Sequence, residues 1–126
     1  MEPHVPLRRY DRSVGFSLVE LLIVLAVVGV LAAVLVPNLA RARVLADKRA
    51  ANAFAHNVYK ASFAYVASAP DLNVVTDTDC SDGYTAGDYQ VKAAGPMVTA
   101  CTVSDADHDG VPEIEVHDRH GKVYSY

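Results

Sequence analysis

The chain has 126 residues, enough for one ordinary domain, and a formal net charge of −4. Hydrophobic residues make up 52% of it, and they crowd into the first third. Beyond Arg49 the basic residues are the scattered Lys60, Lys92, Arg119 and Lys122, which excludes a surface that tracks nucleic-acid phosphates.

Met1 to Gly15 is a polar leader with Arg8, Arg9 and Arg12, two prolines and no apolar period. From Phe16 to Val36 only Ser17 and Glu20 interrupt the apolar run. Those 21 residues span roughly 31 Å as a helix, the thickness of a hydrocarbon core. An ordinary secretory signal cut near Ala33 is the competing reading. The helical signal continues through that point: "NLARARVLADKRAANAFAHNVYKASFAYVAS" contains neither Gly nor Pro and is rich in Ala. Within it Ala51, Phe54, Ala55, Val58, Ala61, Ser62 and Tyr65 recur at three- and four-residue spacing, with Lys48, Asn52 and Lys60 turned away. Ser17 to about Ala67 therefore reads as one helix that stops before Pro70. Basic residues flank the apolar run on both sides, so charge counting leaves its orientation open.

Residues 70–84 read as a polar connection. Strands are expected at Tyr89–Ala93, Met97–Val103, Glu113–His117 and Lys122–Tyr126, parted by the turn signals Gly95-Pro96, Asp109-Gly110 and His120-Gly121. Short gaps favour an antiparallel meander packed on the stripe around Phe54 and Tyr65, an α+β fold. The expected organisation is a leader over 1–15, a long helix over 16–69 with its membrane part at about 16–36, and a connection with an antiparallel β head over 70–126. Cys80 and Cys101 lack CxxC spacing and a zinc-like set of histidines. In an exported head they read as a disulfide, the alternative being two buried thiols.

The stretch "GFSLVELLIVLAVVGVLAAVLVPNLARAR" carries a more specific signal. A basic leader ending in Gly15, then Phe16, then Glu20 five residues after the glycine, then an unbroken apolar run, closely resembles the class III signal of type IV prepilins and type II secretion pseudopilins. Gly29 and Pro37 fit the same pattern, and the resemblance fades beyond about Arg43. It implies cleavage between Gly15 and Phe16 by a membrane prepilin peptidase, with N-methylation of Phe16. Removing the leader, with its three arginines and two acids, leaves 111 residues and a charge of −5. It also implies a structural subunit, not an enzyme, that is held by the inner membrane before assembly. The expected partners are copies of itself, related minor pilins and an inner-membrane assembly platform, and the destination is a surface pilus or a periplasmic pseudopilus.

The residues have physical readings of their own. A carboxylate is costly at the bilayer centre, but Glu20 lies near the helix start, where the dipole and the interface soften the cost. In an apolar filament core it is a natural partner for the new amine of a neighbouring Phe16; the alternative is snorkelling to headgroups. Pro37 cannot donate to the carbonyl of Ala33 and Gly29 lowers helix propensity, so together they mark a weak section. Ala32, Ala33, Ala40 and Ala42 allow close helix approach.

In "DADHDGVPEIE", Asp105, Asp107, Asp109 and Gly110 match the opening of an oxygen-ligand calcium loop, with Val111 offering a carbonyl and Glu113 at the ninth position. Val116 stands where an EF-hand has its bidentate Glu, so an EF-hand is excluded and a shorter loop between strands remains. An Asp-rich hairpin turn without an ion is the alternative. His108, His117 and His120 fit no standard metal spacing, and no catalytic constellation stands out. The leading expectation is a pilus subunit. The rivals are a pseudopilin of a secretion or DNA-uptake system and a membrane-tethered calcium-binding or adhesive protein that never polymerises.

Overall fold

The computed structural model describes residues 15–69 and 71–126. Residues 1–14 of the expected leader, and Pro70, lie outside the described residues. The architecture is α+β. One helix, α1, covers Leu18–Ser68 and is followed by five short strands: β1 Gly83–Ala86, β2 Tyr89–Lys92, β3 Val98–Ser104, β4 Glu113–Asp118 and β5 Val123–Ser125. The chain divides into two compact units, one ending at Asn38 and one covering Leu39–Tyr126.

The first unit is the apolar start of α1. Its most apolar 18-residue window has a mean hydropathy of 3.0 and buries nothing against the rest of the chain. Leucines and valines on every side of the helix face outward, the pattern of a segment built for lipid or for other helices. Pro37 lies inside the helix. The side-chain amide of Asn38 donates to the carbonyl of Val34 at 3.1 Å, so its polar head is satisfied by its own helix.

In the second unit α1 turns amphipathic. Ala51, Phe54, Ala55, Val58, Ala61 and Ser62 are buried and Tyr65 is half-buried, the stripe that the spacing marks. They pack with Tyr84, Ala86, Val98, Cys101, Val103, Ile114 and Val116 into one core. Along β4, Ile114, Val116 and Asp118 point in and Glu113, Glu115 and His117 point out or lie half-covered. In β3, Val98 is buried on one parity and Cys101 and Val103 on the other. A register shift between Val98 and Ala100 switches the parity, as a β-bulge does.

The sheet differs from a single meander. β3, β4 and β5 form a three-stranded antiparallel sheet, whereas β1 and β2 pair separately as a hairpin. β1 falls on Gly83–Ala86, partly inside the stretch expected to be a polar connection. Asp and Thr crowd the residues just before it, and they hide a strand whose Tyr84 and Ala86 are buried. The connection is also structured. Asp77 exchanges two backbone hydrogen bonds with Val103 at 2.9 and 2.8 Å, and Asp79 caps a 3-10 turn at Cys80–Asp82 by accepting from the Ser81 amide.

Cys80 and Cys101 form a disulfide between that turn and β3, with Cα atoms 4.9 Å apart and both residues buried. Closing a loop 21 residues long constrains the unfolded chain by about 3 kcal/mol.

Candidate functional site

The start of α1 is the first place where the structure puts chemistry. Gly15, Phe16 and Ser17 are non-helical and exposed, and the helix begins at Leu18. The Ser17 hydroxyl accepts from the Val19 amide at 3.3 Å, while the Glu20 carboxylate reaches back to accept from the Ser17 amide at 3.1 Å. The first helical bond runs from the Leu21 amide to the Ser17 carbonyl at 3.2 Å. This is a capping box in which the Ser17 hydroxyl serves the Val19 amide instead of that of Glu20, and it satisfies two amides that a helix start leaves without partners. Its signature, Ser followed three residues later by Glu, stands in "SLVE", hidden at the edge of the apolar run. One carboxylate oxygen of Glu20 is thus engaged within its own chain, one residue from the Phe16 nitrogen.

Gly29 and Pro37 stand further along the same apolar stretch. A Cβ placed on Gly29 meets nothing within 4 Å, so no close packing inside the chain requires glycine there.

The second place is the loop between β3 and β4. Carboxylate oxygens of Asp105, Asp107 and Asp109 lie within 4.8 Å of one another. Asp107 and Asp109 also shape the loop. Asp109 accepts from the Val111 amide at 2.8 Å, and Asp107 accepts from the Asp109 amide at 3.4 Å. Two left-handed residues, His108 at φ 59° and Gly110 at φ 81°, turn the chain. One Asp105 oxygen is buried and has no hydrogen-bond partner, a state that an ion or water relieves. Glu113 is not among the converging groups; its carboxylate accepts from the Ser104 hydroxyl at 3.3 Å. Val111 is exposed, and its amide serves the turn. A cleft of about 650 Å³ lies beside the loop, lined by Val66, Leu72, Val74, Thr76, Asp105 and Asp109 among others.

The histidines go elsewhere. His117 Nε2 meets the Glu115 carboxylate at 2.7 Å, and His120 Nε2 meets the Asp47 carboxylate at 3.0 Å. Arg119 reaches the same Asp47 oxygen at 2.7 Å, so the turn after β4 grips the helix through one carboxylate. The hydrogen bond from His120, followed by the charges of Arg119 and His120, holds the Asp47 carboxyl below its ordinary range despite opposing desolvation.

Asp118, 2% exposed, organises that turn. One of its oxygens accepts from the His120 and Lys122 amides, both at 2.8 Å. Burial pushes its carboxyl up, but the two amides, aided by the His120 charge and the Tyr124 hydroxyl, outweigh that and hold it below the usual range.

Compared with known proteins, the chain matches no family model and no solved structure. It is 48% identical over 46 residues to the type IV wide pilus major component PilA4 of Thermus thermophilus, a stretch that covers 36% of this chain and 35% of that protein. The chain is thus a partial homologue of a type IV pilin, and its long apolar N-terminal helix suits one. The match spans about a third of the length of that relative.

Proposed function

We propose that the chain is a structural subunit of a type IV pilus. A prepilin peptidase cuts it after Gly15, Phe16 is N-methylated, and α1 carries the mature chain from the inner membrane into a filament of its own copies and minor pilins, assembled on an inner-membrane platform. The observation that carries this reading is the placement of Glu20. Its carboxylate is the only ionisable group between Phe16 and Val36, and the capping box holds it at the helix start beside the bond to be cut. The partial likeness to a wide-pilus component supports the same reading.

Within an apolar filament core, an amine without a counter-charge is costly. Glu20 of an adjacent copy neutralises the Phe16 amine and sets the axial step between subunits. Glu20→Gln keeps the shape and an acceptor but removes the charge. Processed monomer should then accumulate in the membrane while filament yield falls at least about tenfold, since breaking a buried pair costs on the order of 3–5 kcal/mol. Intact-mass measurement of wild-type fibres should show a chain beginning at N-methylated Phe16. Normal filament number and length in the Gln variant would overturn the pairing, and leader-bearing fibres would overturn the processing.

A second reading, a pseudopilin of a type II secretion or DNA-uptake system, is favoured by the Asp105, Asp107 and Asp109 cluster. Three converging carboxylates and a buried, unpartnered Asp105 oxygen fit a hard cation such as calcium. Asp105, Asp107 and Asp109 would hold it, with Val111 and Glu113 entering only if the loop rearranges. Bound there, the ion would brace the β3–β4 loop.

A further inference from the structure

We infer that Arg41 and Arg43 form a collar that binds the phosphate headgroups of anionic phospholipids; this rests on the reading of Phe16–Val36 as a membrane span. In the sequence Arg43 has an obvious local partner, since Asp47 stands four residues on, the spacing of a helical ion pair. The structure gives that carboxylate to other groups. Arg119 and His120, from the turn after β4, both take the Asp47 oxygen, at 2.7 and 3.0 Å. Arg41 and Arg43 are exposed, and among the described residues neither makes a salt bridge. Asp47 is also the only acidic residue in α1 after Glu20. The helix therefore leaves the apolar run with two uncompensated guanidinium groups.

Their position selects the ligand. Arg41 and Arg43 follow Val36 by five and seven residues, about 7.5–10.5 Å of helical rise. A headgroup layer is about 5–8 Å thick on each side of the hydrocarbon, and an arginine side chain spans the small difference. Two residues apart on a helix, the pair points to nearly opposite sides, about 200° around the axis. One acidic pocket cannot meet both; an annulus of lipid can. Guanidinium binds phosphate oxygens in a planar, two-pronged manner and is weakly hydrated, so arginine suits this interface better than lysine. The subunit is then held by headgroup contacts as well as by its apolar length, and both must be released on entry into a filament.

The test uses the full chain in bicelles with equal phosphatidylglycerol and phosphatidylcholine, and native mass spectrometry of the lipids that stay bound. Wild type should retain phosphatidylglycerol over phosphatidylcholine by at least about threefold, a preference weakened by salt. Arg41→Gln with Arg43→Gln should bring the ratio close to one, because glutamine keeps helix propensity and removes the charge. Lys60→Gln, further along the helix, should leave it unchanged. An unbiased ratio in wild type, or the same bias in the double variant, overturns the collar while the span survives. Release of the wild-type chain from membranes by alkaline carbonate overturns the span, and the collar with it.

Discussion

At Asp118 a single carboxylate does the work of a turn. Buried beneath Tyr124, it takes the amides of His120 and Lys122 and shapes the link between β4 and β5. Asp47 plays the matching part on the helix, where it receives Arg119 and His120. Both carboxyls are held below their ordinary value in the folded chain. Their stabilisation is therefore present above the unfolded carboxylate value, about 4, and is lost as pH falls through the lower folded values. Thermal melts followed by circular dichroism should be flat between about pH 7 and pH 5 and should fall below about pH 4. Asp118→Asn should lower the melting temperature at neutral pH, because it removes the charge that strengthens the bonds from the His120 and Lys122 amides and puts an NH2 against the Tyr124 hydroxyl, and it should shrink the acid limb. An unchanged acid limb in that variant would remove Asp118 from the explanation.

Among the elements, the β1–β2 hairpin approaches the helix closely at its turn. Ala86 pairs with Tyr89 across a two-residue loop, Gly87-Asp88, and Gly87 has φ 59°. A Cβ at Gly87 would stand 2.7 Å from two ring carbons of Tyr65 on α1. Both the backbone conformation and the space thus require glycine. Gly87→Ala should destabilise the head by about 1–3 kcal/mol, seen as a lower denaturation midpoint. Trimming the ring with Tyr65→Leu in the same chain should recover part of that loss. Should the double variant be no better than Gly87→Ala alone, the backbone and not the ring sets the cost.

At the scale of the whole molecule, the β head and the apolar start of α1 differ in what they bury. The head carries its own core, disulfide and acidic loop, whereas the apolar start buries nothing within the chain. Calcium, if held by Asp105, Asp107 and Asp109, should act on the head alone. At a hundred times its dissociation constant a cation adds about 2.7 kcal/mol to stability, so the head's melting temperature should rise with calcium and drop on chelation. Asp107→Ala should abolish that response. No heat in calorimetry at millimolar calcium, together with melts indifferent to chelator, would dispose of the site.

The sequence by itself determined whatever depends on period and covalent order. The apolar run from Phe16 and the buried stripe from Ala51 to Tyr65 follow from a helix repeat that needs no distant partner to be read. Four of the five strands were likewise legible, because glycine-bearing turns separate them. Other features were settled only by the tertiary structure, because they depend on which distant groups meet. β1 emerged from an Asp- and Thr-rich stretch because Tyr84 and Ala86 gain burial in a core assembled from the whole head. The hairpin separated from the three-stranded sheet, and a bulge beside Thr99 re-aimed Cys101 and Val103 inward. Asp47, four residues from Arg43, went instead to Arg119 and His120, more than seventy residues away. A local ion pair on an exposed helix gains only a few tenths of a kcal/mol, so a packed turn that presents two donors to one carboxylate readily outcompetes it.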